Sequence, residues 1–396
     1  MERRIRRYQD GEVHGGGDVP KHWEMLRLKF FLTLRSERSV KRMKEGDLFI
    51  VTEGREVGEV FWGEEDDVLC RGVIVTVDKR VIDCFFLFFF LQAYRELFVN
   101  SFNGLGVPQF DRSALLEHYF AFPSIEEQKK IAIFLTDITG KIDALIGEKK
   151  NLLGRLEQEQ TIFVGEVVVK GLVPNVPVKD SGVEGLGYIP AHWKVVPFKW
   201  LVSLRTGVFV SVGNRYSEWQ IGMQEYVTIK SVTSRGCFRE YIMDESAYVC
   251  REEDVLLCRR GRIFGEIISG VSGVLSTDFL LIDYDRDVFS KDFLLYYLRH
   301  PVVQDMLRFT TRQKIAPVIR ACDFDELMCL VPPSLEEQQA IGRFISEKVC
   351  KQMEVIQELR EQIVKLEEYR KAVIGEAISG KLSLNEDKYF VLSELK

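Results

Sequence analysis

The sequence lacks most of the signatures that announce a catalyst. No HExxH, no Walker A loop and no Asn-Pro-Pro-Tyr-type methyltransferase tetrapeptide occurs, which removes the usual zinc-peptidase, P-loop and methyl-transfer readings. The eight cysteines form no CxxC pair, and Cys322 and Cys329, the nearest two, have nothing metal-like around them. Reduced, mostly buried thiols of a cytosolic protein are expected. The five histidines (His14, His22, His118, His192, His300) are scattered too widely for a local ligand set. Gly261–Gly273 is glycine-rich, but its spacing is wrong for a dinucleotide loop. No cofactor and no metal are therefore expected.

Long apolar runs are also missing. Cys84–Tyr94, "CFFLFFFLQAY", reaches about ten residues, too short to span a bilayer, and reads as a core helix. The opening "MERRIRRYQD" is basic with no apolar run behind it, so neither a secretory signal nor a membrane anchor is expected. A positive surplus is absent as well: the formal net charge is −6. That argues against a nucleic-acid module spread over the whole chain. It does not exclude a local basic patch, which sets phosphate binding whatever the total.

What is present is a repeat. "DVPKHWEMLRLKFFLTLR" from Asp18 matches "YIPAHWKVVPFKWLVSLR" from Tyr188, an offset of 170. "DLFIVTEGREVGEV" from Asp47 matches "DVLLCRRGRIFGEI" from Asp254, an offset of 207, with Gly54 and Gly58 on Gly261 and Gly265. Ser124–Leu172 then lies on Ser334–Leu382 at an offset of 210. A chain of 396 residues is too long for one core, and here it is one unit written twice. The jump from 170 to 207 means that the first copy lacks about 37 residues that the second holds between Leu204 and Asp254.

Each copy opens with β-rich runs bounded by Gly and Asp ("DLFIVTEG", "GVIVTVD", "EYVTIKSV", "DVLLCRRG", "FLLIDYD") and adds a helix, "FFLFFFLQAYRELF" or "DFLLYYLRHPVVQDML". Then comes "SIEEQKKIAIFL" at Ser124 or "SLEEQQAIGRFI" at Ser334. Ser124 with Glu127, and Ser334 with Glu337, fit a capping box. Beyond them apolar residues recur at spacings of three and four without proline: Ile131, Leu135, Ile138, Ile142, Leu145, Leu152, Leu156 and Phe163, and later Ile341, Ile345, Val349, Ile356, Leu359, Ile363, Leu366 and Val373. About 45 residues at 1.5 Å each give helices of roughly 65–70 Å, the length of a coiled coil. A lone helical arm pairing with another protein is the plainer alternative, but two matched helices in one chain are more simply each other's partners. The segment Val173–Pro190 is too short to run back along such a helix and also fold, so the helices are expected antiparallel. The expected object is an internal pseudo-twofold, suited to a ligand of like symmetry such as duplex DNA, whose half-sites repeat at ~34–36 Å.

This order resembles the specificity subunit of a type I restriction–modification system, over roughly residues 18–385. The two "EEQ" helices and the "IP-x-HW" entry at Ile189–Trp193 carry the likeness. The resemblance implies an α+β fold: two repeated mixed α/β target recognition domains joined by two long helices in an intramolecular antiparallel coiled coil. The boundaries would be a tail over 1–17, a shortened first recognition domain over 18–123, a first helix over 124–172, a linker over 173–189, a second domain over 190–333, a second helix over 334–382 and a tail over 383–396. It further implies a non-catalytic cytoplasmic subunit serving defence against foreign DNA. Its partners would be double-stranded DNA, two methyltransferase (modification) subunits docked on the helices, and a restriction subunit.

DNA contacts must then come from polar residues on the recognition domains. Arg259, Arg260 and Arg262 sit on a glycine-containing turn, and Arg312, Gln313 and Lys314 precede a returning strand. Arg and Gln are suited to guanine and adenine edges, Lys to phosphate. Lys230, and Arg55 in the first copy, complete the candidate set. Ordinary solvated surface charge is the plain alternative for each. The first copy keeps only Arg55 where the second has three arginines, and places Glu53 there. A first domain with weak base readout is expected, or a degenerate relative that holds partners through its coil alone. An independent methyltransferase or nuclease is the other class of reading, disfavoured by the missing motifs.

Overall fold

The computed structural model describes residues 19–36, 47–54, 56–63, 72–100, 108–234, 237–243, 248–309, 318–324 and 327–382. The chain divides into two units, Met1–Asn151 with Leu359–Lys396, and Leu152–Glu358.

In the first unit Leu32–Ser36, Gly72–Val77, Leu48–Val51 and Val60–Trp62 form an antiparallel sheet in that spatial order. In the second unit Val202–Thr206, Phe279–Tyr284, Val255–Cys258 and Ile267–Ile268 repeat it, strand for strand. Even the register repeats: Leu34 faces Val75 where Leu204 faces Ile282. The apolar helix Cys84–Ala93 follows the first sheet, with Phe86, Leu87, Phe89, Phe90 and Leu91 buried. The Asp83 carboxylate caps it, accepting from the Phe85 and Phe86 N–H groups at 3.0 Å each. Its counterpart in the second unit is Lys291–Leu298, and a separate helix Pro301–Phe309 follows. The single helix expected there is broken because Pro301 lacks the N–H and is tolerated only at a helix start.

The second unit adds a further sheet, ordered Tyr241–Ile242, Gln224–Val227, Gly273–Leu275 and Val249–Cys250. Gln224–Val227 runs parallel to Gly273–Leu275, and the other two pairings are antiparallel. Three of these strands lie in the segment that the first copy lacks. "EYVTIKSV" is thus only half a strand: after Val227 the chain turns into a helix, Ile229–Thr233, started by a capping box between Thr228 and Ser231. The two sheets of this unit meet through Val227, Cys250 and Leu275 on one side and Leu256, Cys258, Phe279 and Leu281 on the other. Each of the Val, Leu and Phe side chains, fully buried, contributes about 1.5–3 kcal/mol. In the first unit Phe49 stands for Leu256 and Gly72 for Phe279, and the Phe49 ring lies where a Gly72 side chain would be.

The long helices are Ile125–Lys170 and Leu335–Ile378. Within the first unit Arg370 binds Asp143 at 2.8 Å and Lys150 binds Glu367 at 3.0 Å. Within the second, the Gln352 amide donates to the Leu156 carbonyl at 2.9 Å, and Phe163 meets Phe344 at 5.9 Å between ring centroids. Rising numbers on one helix meet falling numbers on the other, so the pairing is antiparallel in each unit. Most of the expected seam is buried, but Leu152 is 46% exposed and does not belong to it.

The capping boxes are only half made. Ser124 accepts from the Glu127 N–H at 3.3 Å and Ser334 from Glu337 at 3.2 Å. The glutamates turn elsewhere, Glu127 to His22 (3.0 Å) and the Trp23 indole (3.2 Å), Glu337 to His192 (3.2 Å) and Trp193 (2.9 Å). The "HW" and "EEQ" signatures are two halves of one joint. The glutamine closes it. Gln128, buried, donates to Val81 and Pro123 carbonyls and accepts from the Asp83 N–H. Gln338 does the same with Val288, Pro332 and Ser290. Each tryptophan also meets the far end of the other helix. Gly171 (φ +70°) ends the first helix against Trp193, and Gly380 (φ +75°) follows the second against Trp23, where a Cβ would stand 3.2 and 3.0 Å from the rings.

Of the seven described cysteines, Cys250, Cys258 and Cys329 are buried, whereas Cys237, Cys322 and Cys350 are exposed, so the thiols are less buried than expected. Burial pushes the Cys250 and Cys258 thiols up to about 11. No helix among the described residues is long and apolar enough to cross a membrane.

Candidate nucleic-acid interface

Strand Val255–Cys258 ends in a turn whose geometry both copies share. Gly261 and Gly265 have φ +80° and +84°, as Gly54 and Gly58 have +99° and +81°. Only glycine adopts these angles at no cost. The Gly265 N–H donates to the Cys258 carbonyl at 2.8 Å, as Gly58 does to Val51. In the second unit this turn packs on the added helix: a Cβ on Gly261 would come 2.6 Å from Ile229. That contact brings Lys230, one residue on, to the arginine turn.

A groove of about 640 Å³ opens there, with Phe209, Arg215, Lys230, Arg260 and Arg262 on its walls. Arg260 is held by the Asp278 carboxylate at 2.6 Å and by the Thr277 hydroxyl. Arg215 lies 3.6 Å from Glu240 and 5.0 Å over the Tyr226 ring. Lys230 and Arg262 are exposed, and among the described residues neither is ion-paired. The Lys230 ammonium lies 3.5 Å over the Phe238 ring. Among the described residues the groove therefore presents two cations without an acidic partner beside two ion pairs.

Of the residues singled out from the sequence, Lys230, Arg260 and Arg262 share this groove. Arg259 does not join them. Its guanidinium turns inward to the Ile319 carbonyl at 3.0 Å, and burial, with the Arg260 charge, lowers its pKa. The Arg259 backbone still pairs with Asp278 and Ile319, whereas Arg260 and Arg262 lie on the turn beyond it, so the run of arginines does not face one ligand. Arg55, Arg312, Gln313 and Lys314 lie outside the described residues. Arg215 and Phe209 join the groove without having been singled out. Both belong to the inserted segment, and the jump in repeat offset was the one signal marking that segment. Among the described residues no group of three His, Cys, Asp or Glu is placed to hold a metal ion.

Residues 35–155 match the family described as the type I restriction modification DNA specificity domain. The chain is 24% identical to the type I restriction enzyme MjaVIII specificity subunit of Methanocaldococcus jannaschii, across 86% of this chain and 80% of that one. It is 20% identical to the putative type I restriction enzyme MjaX specificity subunit of the same organism, across 91% and 84%. A chain solved in work on complex assembly and conformational transition of the type I restriction–modification system superposes with a TM-score of 0.68 at 14% identity, covering 93% of this chain and all of that one. That likeness is one of fold.

Proposed function

We propose that this chain, a member of the type I restriction–modification specificity subunits, reads a bipartite DNA site and holds the enzyme's other subunits around it. As a specificity subunit it is non-catalytic, and methyl transfer and cleavage belong to the modification and restriction subunits. Its own contribution is recognition, and it acts in complex with DNA and those subunits. We assign DNA contact foremost to the groove that carries Lys230, Arg260 and Arg262, and base readout mainly to the second unit.

The observation that carries this reading is the added sheet of the second unit. It places a helix and a glycine turn so that two unpaired cations share one groove, and that sheet has no counterpart among the described residues of the first unit. Two modification subunits docked on the long helices complete the proposal. Exposed Ile133 on the first helix, and Met353 and Val355 on the second, are apolar positions such partners would cover.

The test is enrichment of bound sequences from a pool of random duplex DNA by the full chain with its modification subunits, followed by mapping of methylated adenines. A two-part motif that disappears in the Lys230→Ala/Arg262→Ala double variant supports the assignment. Enrichment of no motif removes it. A motif with both parts equally strong, unaffected by the double variant, removes the assignment of readout to the second unit.

A further inference from the structure

Phe209 is 77% exposed, yet the backbone on both sides of it is pinned. Val208 donates to the Leu275 carbonyl at 2.8 Å and bridges Ser276. The Tyr226 hydroxyl donates to the Val208 carbonyl at 2.8 Å and stands 3.3 Å from the Val210 N–H. The Arg215 guanidinium donates twice to the Val210 carbonyl, at 2.7 and 3.0 Å. Gly207 runs so close to the Leu275 and Ser276 carbonyls that no larger residue fits. Val208 and Val210 turn inward onto the buried Tyr226, Ile242 and Val274 cluster. The alternation leaves the phenyl ring of Phe209 facing out.

A large apolar ring displayed from a pinned backbone has met the backbone part of its ordering cost in advance. It lines the same groove as the unpaired Lys230 and Arg262, while the groove's carboxylates, Glu240 and Asp278, are occupied by Arg215 and Arg260. The surroundings therefore match a ligand that offers anions and flat apolar faces together, which is the chemistry of nucleic-acid phosphates beside their bases.

We infer that Phe209 is a wedge that stacks on a base step of the duplex while Lys230 and Arg262 hold the neighbouring phosphates. This rests on the DNA-reading assignment above and adds a specificity-determining residue to it. Readout by such a wedge goes through the ease of unstacking a step, so flexible pyrimidine–purine steps are its expected targets.

The test uses the full chain and a duplex enriched from the random pool, with 2-aminopurine placed at each step in turn. Phe209→Ala is expected to weaken binding roughly 10- to 100-fold, the range of one lost base–aromatic stack. It leaves the salt slope unchanged and abolishes the 2-aminopurine brightening at one step, while Phe209→Trp restores both. The ring is exposed, so the melting temperature of Phe209→Ala should equal that of the parent. If the parent enriches a sequence and Phe209→Ala binds it equally, with the same fluorescence, the wedge is wrong and the DNA assignment stands. If Phe209→Ala keeps its DNA affinity but no longer co-purifies with a modification subunit, the ring is a protein contact and the wedge is wrong. If the parent enriches nothing, both fall together.

Discussion

The two units share a joint and differ in a face. Both hold a His-Trp pair against the glutamate of a long helix and bury a glutamine beneath it. Both carry the same four-stranded sheet in the same register. The second covers one side of that sheet with another sheet, and the first answers with an exchange of Leu256 for Phe49 and Phe279 for Gly72. Among the described residues the frame is thus repeated and the added layer is not. If the proposed assignment holds, scaffolding and reading are separable in this chain, and the inserted segment is where they part.

The largest effect expected follows from removing that layer. Replacing residues 208–250 by a short turn should abolish sequence enrichment while leaving association with the modification subunits intact, as seen by gel filtration. Adding Leu256→Phe and Phe279→Gly, the first unit's own solution, should raise the melting temperature of the shortened chain. If it lowers it, the two faces are not equivalent. Next comes the joint. Trp193→Ala should cost about 3–5 kcal/mol of stability, the range for truncating a buried aromatic. Trp23→Ala should cost less, because Trp193 is completely buried and Trp23 is not quite. Denaturant titration of the two variants ranks them. Gln338→Leu and Gln128→Leu should each cost about 1–3 kcal/mol, because each strands one buried carbonyl, with a half-buried carbonyl and N–H beside it. A large difference between them would break the equivalence of the two joints.

Smaller effects separate positioning from contact. Lys230→Ala and Arg262→Ala should each lower the slope of log affinity against log salt by about 0.9, one phosphate apiece. Arg259→Ala should leave that slope alone and lower the melting temperature, because its partner is a carbonyl of its own fold. The smallest effect is one of pH. Burial lowers the pKa of His300, whose Nδ1 accepts from the Val302 N–H at 3.2 Å. Its contribution to stability is therefore complete above the ordinary histidine value and declines as pH falls below it, because the unfolded chain takes up the proton first. Melting curves of His300→Gln should lose that decline.

Much of the frame was legible in the sequence because the repeat carries it. Constant spacing exposed the helices, and the change from 170 to 207 located the added layer. The partners inside the joint were not legible, because a capping box and a tertiary bond from Glu127 to Trp23 demand the same residue at the same place. Leu152 fits the apolar spacing yet lies exposed, because spacing names a stripe and not what covers it. The groove was half legible: Lys230 and Arg262 stand in the sequence as charges, but the pairing of Arg260 with Asp278 depends on strands that meet only in the folded sheet.

The make-up of the units also sets an order of events. Leu152–Glu358 is one uninterrupted run, complete once its last residue has left the ribosome. The other unit joins Met1–Asn151 to Leu359–Lys396, and its tryptophan waits for Gly380. The unit written later therefore needs nothing that follows it in the chain, whereas domains ordinarily fold in the order of their synthesis. The unit written first needs Leu359–Gly380 before it can close, so a chain cut after Glu358 should keep Leu152–Glu358 folded and lose the closure of the other unit.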